Sequence, residues 1–172
     1  MNREQNLPPT KWPPALVVVI LIVMGSVFAT GQAERVIYRF EGGSDGLDPL
    51  GSLISDDAGN FYGTTCGDGA ANSGTVFQLV RQGGHWTENV LYSFAGSSDG
   101  NCPFGELIFD RAGNLYGTAA SVGGFASTGF ELKPPATQGN PWTETVLYSF
   151  DSSVELYDGL VFDKADNLYG ST

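Results

Sequence analysis

Cysteine and histidine are scarce: 172 residues contain two cysteines and one histidine. No zinc-site spacing can be built from them, and no Ser-His-Asp set can recur. Basic residues are few as well, with 8 Lys and Arg against 19 Asp and Glu and a net charge of −11. Such a surface repels nucleic acid and anionic lipid, so no nucleic-acid partner is expected. No charge block is longer than Asp56-Asp57, which leaves no like-charged interaction tail. Gly67-Asp68-Gly69 lacks the later glycine and the strand-to-helix setting of a nucleotide loop, and no cofactor is expected. After residue 33 no window carries a capped helical period, which excludes a helix-rich fold.

Long hydrophobic runs are missing too. Arg3 and Lys11 precede an apolar run from Ala15 to Met24, and the chain then passes through small residues that offer cleavage after Ala29 or Ala33. This is the grammar of a secretory signal peptide. Ala15 to Ala29 falls short of the roughly 20 residues a helix needs to span a bilayer, which favours cleavage over the alternative, an uncleaved anchor. Residues 1–33 are therefore read as a signal peptide and the protein as secreted or held at the cell surface. Any membrane contact would come through this segment or a C-terminal anchor.

What is abundant is repetition. Asp56-Asp-Ala-Gly-Asn-Phe-Tyr-Gly63 returns as Asp110-Arg-Ala-Gly-Asn-Leu-Tyr-Gly117 and as Asp163-Lys-Ala-Asp-Asn-Leu-Tyr-Gly170. Tyr62, Tyr116 and Tyr169 stand 54 and 53 residues apart, the spacing of a structural repeat. Asp, two residues and then Gly-Asn predicts a tight hairpin: the aspartate accepts from nearby amides and Gly59 or Gly113 takes a left-handed conformation. Asp166 replaces that glycine in the third copy and can adopt φ > 0 at some cost. Gly63, Gly117 and Gly170 permit close backbone approach or a bulge.

Around each hairpin lie further strand signals. Val36–Phe40, Val90–Phe94 and Val146–Phe150 are β-branched and aromatic, as are Thr75–Leu79 and Thr128–Leu132. Residues 34–40 read as the last strand of a unit, 53–94 as unit 1, 107–150 as unit 2 and 160–172 as the start of unit 3. The loops Val80 to Trp86 and Lys133 to Trp142 differ in length, and His85 is expected to be a solvent-facing residue of the first. Four short strands per repeat of about 54 residues is the pattern of a β-propeller blade, with neighbours covering both faces, which is expected to explain why Val-Leu-Tyr-Ser-Phe does not alternate cleanly. The expected fold is all-β and propeller-like, an incomplete ring. An open β-solenoid or multi-sheet array is the alternative. Since propellers close with about four to eight blades, the sequence is expected to be a piece of a longer repeat protein.

The run Trp142–Phe150, the Asp-Gly turns, Asp110–Thr118 and Thr75–Leu79 together resemble the GloVer repeat of secreted bacterial "choice-of-anchor" tandem-repeat proteins, over essentially all of residues 35–172. The resemblance implies an exported, multi-repeat, propeller-like protein held at the surface by a C-terminal segment. It implies no catalytic residue and no ligand.

Several constellations remain to be weighed. In a chain addressed to an oxidising compartment, Cys66 after the second strand and Cys102 in the crossover to the next unit fall on one rim. A disulfide stapling neighbouring units is one reading, and two free thiols the other. Asp45, Asp48 and Asp99 could suggest calcium, but Ser-Asp-Gly is an ordinary turn and the third copy lacks it, so no metal is expected. The carboxylates would suit a two-carboxylate glycosidase, yet they sit at turn positions that folding explains. Tyr62, Tyr116, Trp86 and Trp142 could stack on sugar rings or fill a core. The expectation is a non-enzymatic exported repeat protein with a structural or surface binding role. Its partner would be an extracellular glycan or protein, and a glycan- or peptide-binding propeller module is the alternative.

Overall fold

The computed structural model of the protein describes residues 34–171, apart from 97, 121–125, 138, 152, 155 and 157. The expected signal peptide, residues 1–33, lies outside the described residues, as do Ser97 of the second Asp-Gly turn and Thr172 of unit 3. The protein is all-β. Strands β1 (Ile54–Ser55), β2 (Phe61–Thr65), β3 (Thr75–Gln82) and β4 (His85–Ser93) form one sheet in sequential order. Strands β5 (Ile108–Phe109), β6 (Leu115–Ala119), β7 (Thr128–Lys133) and β8 (Thr143–Ser149) form a second, and β9 (Val161–Phe162) pairs with β10 (Leu168–Tyr169) in a third. All pairings are antiparallel, and the arrangement is open, with no sheet closed on itself.

Local chemistry explains most of these boundaries. Gly83 (φ 58°) and Gly84 (φ 88°) make a two-residue turn, so Gln82 pairs directly with His85. The loop expected over residues 80–86 is thereby corrected: β3 and β4 run right up to the two glycines, and His85 opens β4 as an exposed residue. In the second sheet β7 ends at Lys133 and β8 begins only at Thr143, so the connection there is longer.

Two further expectations change. Val36–Phe40 is not a strand, because an extended segment becomes one only with a hydrogen-bonding neighbour. Its side chains nevertheless take the repeat's positions: Tyr38 meets Phe40 edge-on as Tyr92 meets Phe94, and Phe40 packs on Phe77 as Phe94 packs on Phe130. Second, the imperfect alternation of Val-Leu-Tyr-Ser-Phe does not come from cover on both faces. Val76 pairs with Tyr92 and Phe77 with Val90, which leaves Leu91 as the extra residue of a β-bulge, and Leu147 is its counterpart in the second sheet. From His85 to Asn89 β4 alternates between exposed and half-buried residues.

The core lies at the seams between sheets. Phe94, Leu107, Leu115, Ala119, Phe130 and Leu132 are fully buried in one cluster with Val76 and Tyr62. A Cβ on Gly63 would lie 2.7 Å from Phe77 Cζ, and one on Gly117 2.7 Å from Phe130 Cζ. Glycine there lets one phenylalanine ring per repeat lie flat on the neighbouring strand.

Candidate functional site

Each motif aspartate organises its own hairpin. Asp110 Oδ1 accepts from the amides of Ala112 (2.8 Å) and Asn114 (2.9 Å), while Oδ2 accepts from Asn114 Nδ2 (2.7 Å) and the Tyr116 hydroxyl (3.3 Å). Asp56 accepts from Asn60 and Tyr62, and Asp163 from Ala165, Asn167 and Tyr169, at equivalent atoms. Gly59, Gly113 and Asp166 turn the chain at φ 80°, 85° and 62°. Asp166 thus keeps the left-handed conformation that glycine supplies elsewhere.

These contacts set the charge state. Partial burial pushes Asp56 and Asp110 upward, but the donors from Asn60 or Asn114, the Ala amide and the tyrosine hydroxyl outweigh it and hold both below the ordinary carboxylate range. Asp163, led by donation from Asn167, falls to about 2. Tyr62 rises to about 12 through burial and the bond to Asp56, and burial with the bond to Glu131 also raises Tyr116. At neutral pH the motif carboxylates are charged acceptors with both oxygens engaged in hydrogen bonds.

Consecutive hairpins frame a groove, and it is built twice. One, about 460 Å³, is lined by Asp56, Asp57, Tyr62, Phe109, Arg111 and Trp142 among others. The next, about 510 Å³, is lined by Asp110, Arg111, Tyr116, Phe162, Asp163 and Asp166 among others. Tyr62 meets Phe109 edge-on at 5.0 Å, and Tyr116 meets Phe162 likewise at 5.1 Å. Arg111 Nη2 lies 3.7 Å from Asp166 Oδ1 across the second groove, both side chains largely exposed. Such a pair contributes under about 1 kcal/mol, so the guanidinium can exchange partners.

Residues 23–172 match the Gloeobacter/Verrucomicrobia repeat. The chain belongs to this repeat family. Among curated proteins none matches it significantly. In this chain each complete repeat supplies one motif hairpin and one seam phenylalanine, and consecutive hairpins frame a groove.

The remaining candidates fall elsewhere on the repeat. Cys66 and Cys102 form a disulfide with Cα atoms 3.9 Å apart, at the strand ends remote from the motif hairpins. Ala120, buried, holds the place of Cys66 in the second copy, and its amide bonds Cys102 O as that of Cys66 bonds Asp48 O. Asp45 and Asp99 pin the crossovers, accepting from Tyr38 and Glu41 N, and from Tyr92 and Ala95 N. Among the described residues no group of three or more Asp, Glu, His or Cys is placed to hold a metal. Of the aromatic candidates, Tyr62 is buried and Trp86 stacks on Phe61, whereas Trp142 lines a groove.

Sequence reasoning passed over Glu88 and Glu144. Both are half-buried, each with one carboxyl oxygen buried and without a hydrogen-bond partner. Burial, then the charge of Asp45 or Asp99, pushes both up to about 7. The clue was Trp-Thr-Glu in both copies, since a strand's period of two sets Glu88 on the face of half-buried Trp86. A folded-state pKa above the unfolded value of about 4.3 means the contribution is complete below about pH 4.3 and is lost as pH rises through 7. Screening at these part-exposed sites limits the loss to about 1–2 kcal/mol each. The depressed aspartates act oppositely: their contribution is present above about pH 4 and lost as pH falls through their lower folded values. Urea midpoints are therefore expected to peak between about pH 4 and 5 and to decline toward pH 8. Glu88→Gln with Glu144→Gln should remove the alkaline decline, and a flat profile in the parent would disprove this assignment.

Proposed function

We propose that the protein is an exported, non-enzymatic repeat scaffold that binds an extracellular glycan along its motif face, each repeat acting as a propeller-like blade. The observation that carries this reading is the groove repeated at successive seams, where apolar ring edges lie beside the exposed carboxylates of Asp57 or Asp166 and one exchangeable arginine. That combination suits sugar rings, which present C–H faces and hydroxyl donors together. The absence of catalysis is supported by the hairpin bonding, which occupies the carboxylates a two-carboxylate hydrolase would need to move protons. The disulfide suits an oxidising destination, and so supports secretion and cell-surface placement.

A glycan array probed with the oxidised chain is expected to show specific binding, weakened about tenfold or more by Arg111→Ala, a change at an exposed side chain that should leave the melting temperature unchanged. Uniform silence would leave a scaffold without a glycan role, and release of reducing ends from a polysaccharide panel would restore the enzyme reading.

A further inference from the structure

The two motif grooves share a wall. Phe109, Asp110 and Arg111 line both, so the hairpin of the second copy stands between one groove and the next. Among the described residues each groove sets three carboxylates against the Arg111 guanidinium: Asp56, Asp57 and Asp110 in the first, Asp110, Asp163 and Asp166 in the second. The motif aspartates engage their oxygens within their own hairpins, but the donors there are amides and tyrosine hydroxyls, which leave the negative charge uncancelled. Asp57 and Asp166 are different, because both are exposed. The repeat itself does not call for either: Arg111 and Lys164 hold the motif position of Asp57, and Gly59 and Gly113 that of Asp166. Folding explains the motif aspartates and leaves the one exposed acid of each groove without a structural role. Apolar surface lies beside these charges, with Phe109 edge-on to Tyr62, Phe162 edge-on to Tyr116, and Trp142 in the first groove.

We infer, building on the glycan reading above, that the grooves take a glycan bearing free amino groups, its rings against the aromatic walls and its ammonium groups on Asp57 and Asp166. Charge decides between the classes of sugar. A uronate or sulfated chain meets one guanidinium and three repelling carboxylates, on a chain of net charge −11. A neutral sugar meets the same rings but leaves the negative groove uncompensated. An ammonium donates a charge-assisted hydrogen bond to an exposed carboxylate and is also attracted to neighbouring aromatic rings such as Trp142. At Asp166 it replaces Arg111, whose 3.7 Å approach is longer than the roughly 2.7–2.9 Å of a good charged hydrogen bond and is given up at little cost. The released guanidinium then turns its donors to the sugar's hydroxyl and ring oxygens, so the arginine still contributes to binding.

The test uses the whole oxidised chain in titration calorimetry at about pH 6, where aspartates and amines are both charged. Tetrasaccharides of glucosamine, N-acetylglucosamine and galacturonic acid are compared. The glucosamine tetramer is expected to bind about tenfold or more tighter than the N-acetylated one at about 0.02 M salt, the gap closing toward about 0.5 M as screening shortens. Asp57→Asn with Asp166→Asn should remove most of that advantage, and asparagine tolerates the positive φ at residue 166. Glu34→Gln with Glu41→Gln deletes the same charge at exposed positions outside the grooves and should leave the advantage intact. Equal losses from the two double variants would mean unspecific attraction to an acidic surface and would overturn the inference. Equal or tighter binding of the N-acetylated or acidic tetramer would overturn the amino-sugar class while the glycan reading stands. Silence of all three would also overturn it, and the glycan array then judges the wider reading separately.

Discussion

Phe130→Ala is expected to lower the unfolding free energy by about 3–5 kcal/mol, the largest effect of any single truncation in this chain. The ring is fully buried on the central strand β7 and touches both complete sheets: its centroid lies 5.2 Å from that of Phe94, and its edge rests on Gly117. Removing it leaves a cavity walled by β-structure that is held in register on both sides and cannot collapse into it. Phe77→Ala removes the same ring one repeat earlier, but there the opposing Phe40 is only half-buried on a segment outside any sheet. Water and Phe40 can occupy part of that space, so the loss should be visibly smaller. Urea denaturation of both variants measures the order, and Phe77→Ala equalling or exceeding Phe130→Ala would refute the account of the seam.

Breaking the Cys66–Cys102 disulfide is expected to destabilise the chain by about 2–4 kcal/mol, through the loop-closure entropy returned to the unfolded ensemble. The bond closes a separation of 36 residues and joins the end of β2 to the crossover that leads into the second sheet. It therefore restrains two repeats relative to each other, a contact that hydrogen bonds supply elsewhere. Cys102 is also held at φ 48°, where a side chain is disfavoured. Cys66→Ala with Cys102→Gly should accordingly lose less than Cys66→Ala with Cys102→Ala. Thermal melts of these pairs and of the reduced parent are the measurement. A reduced parent melting with the oxidised one would mean that crossover packing alone fixes the seam. Because the bond lies at the strand ends remote from the motif hairpins, the glycan binding proposed for the grooves is expected to survive its loss wherever the chain stays folded.

The hairpins were legible because every interaction in them is local. Asp110, Asn114 and Tyr116 lie within seven residues, and a carboxylate with two amides in reach determines the turn whatever surrounds it. The same holds for Asp166, whose tolerance of positive φ follows from its side chain alone. The outer strands were less readable. Val36–Phe40 and Val90–Phe94 have nearly the same sequence, yet only the second contributes residues to a strand, because β3 lies beside it. The bulge at Leu91 likewise arises where β4 must keep register with β3 while Phe94 turns into the seam.

The sequence by itself determined the all-β class, the repeat of about 54 residues and the hairpin at its centre, since these rest on composition, period and contacts within a few residues. Only the tertiary structure decided which side chains meet between repeats. Asp45 near Glu88, Asp99 near Glu144 and Arg111 beside Asp166 all join residues more than twenty positions apart. Their proximity depends on how one sheet stacks on the next, a consequence of seam packing that no local pattern encodes.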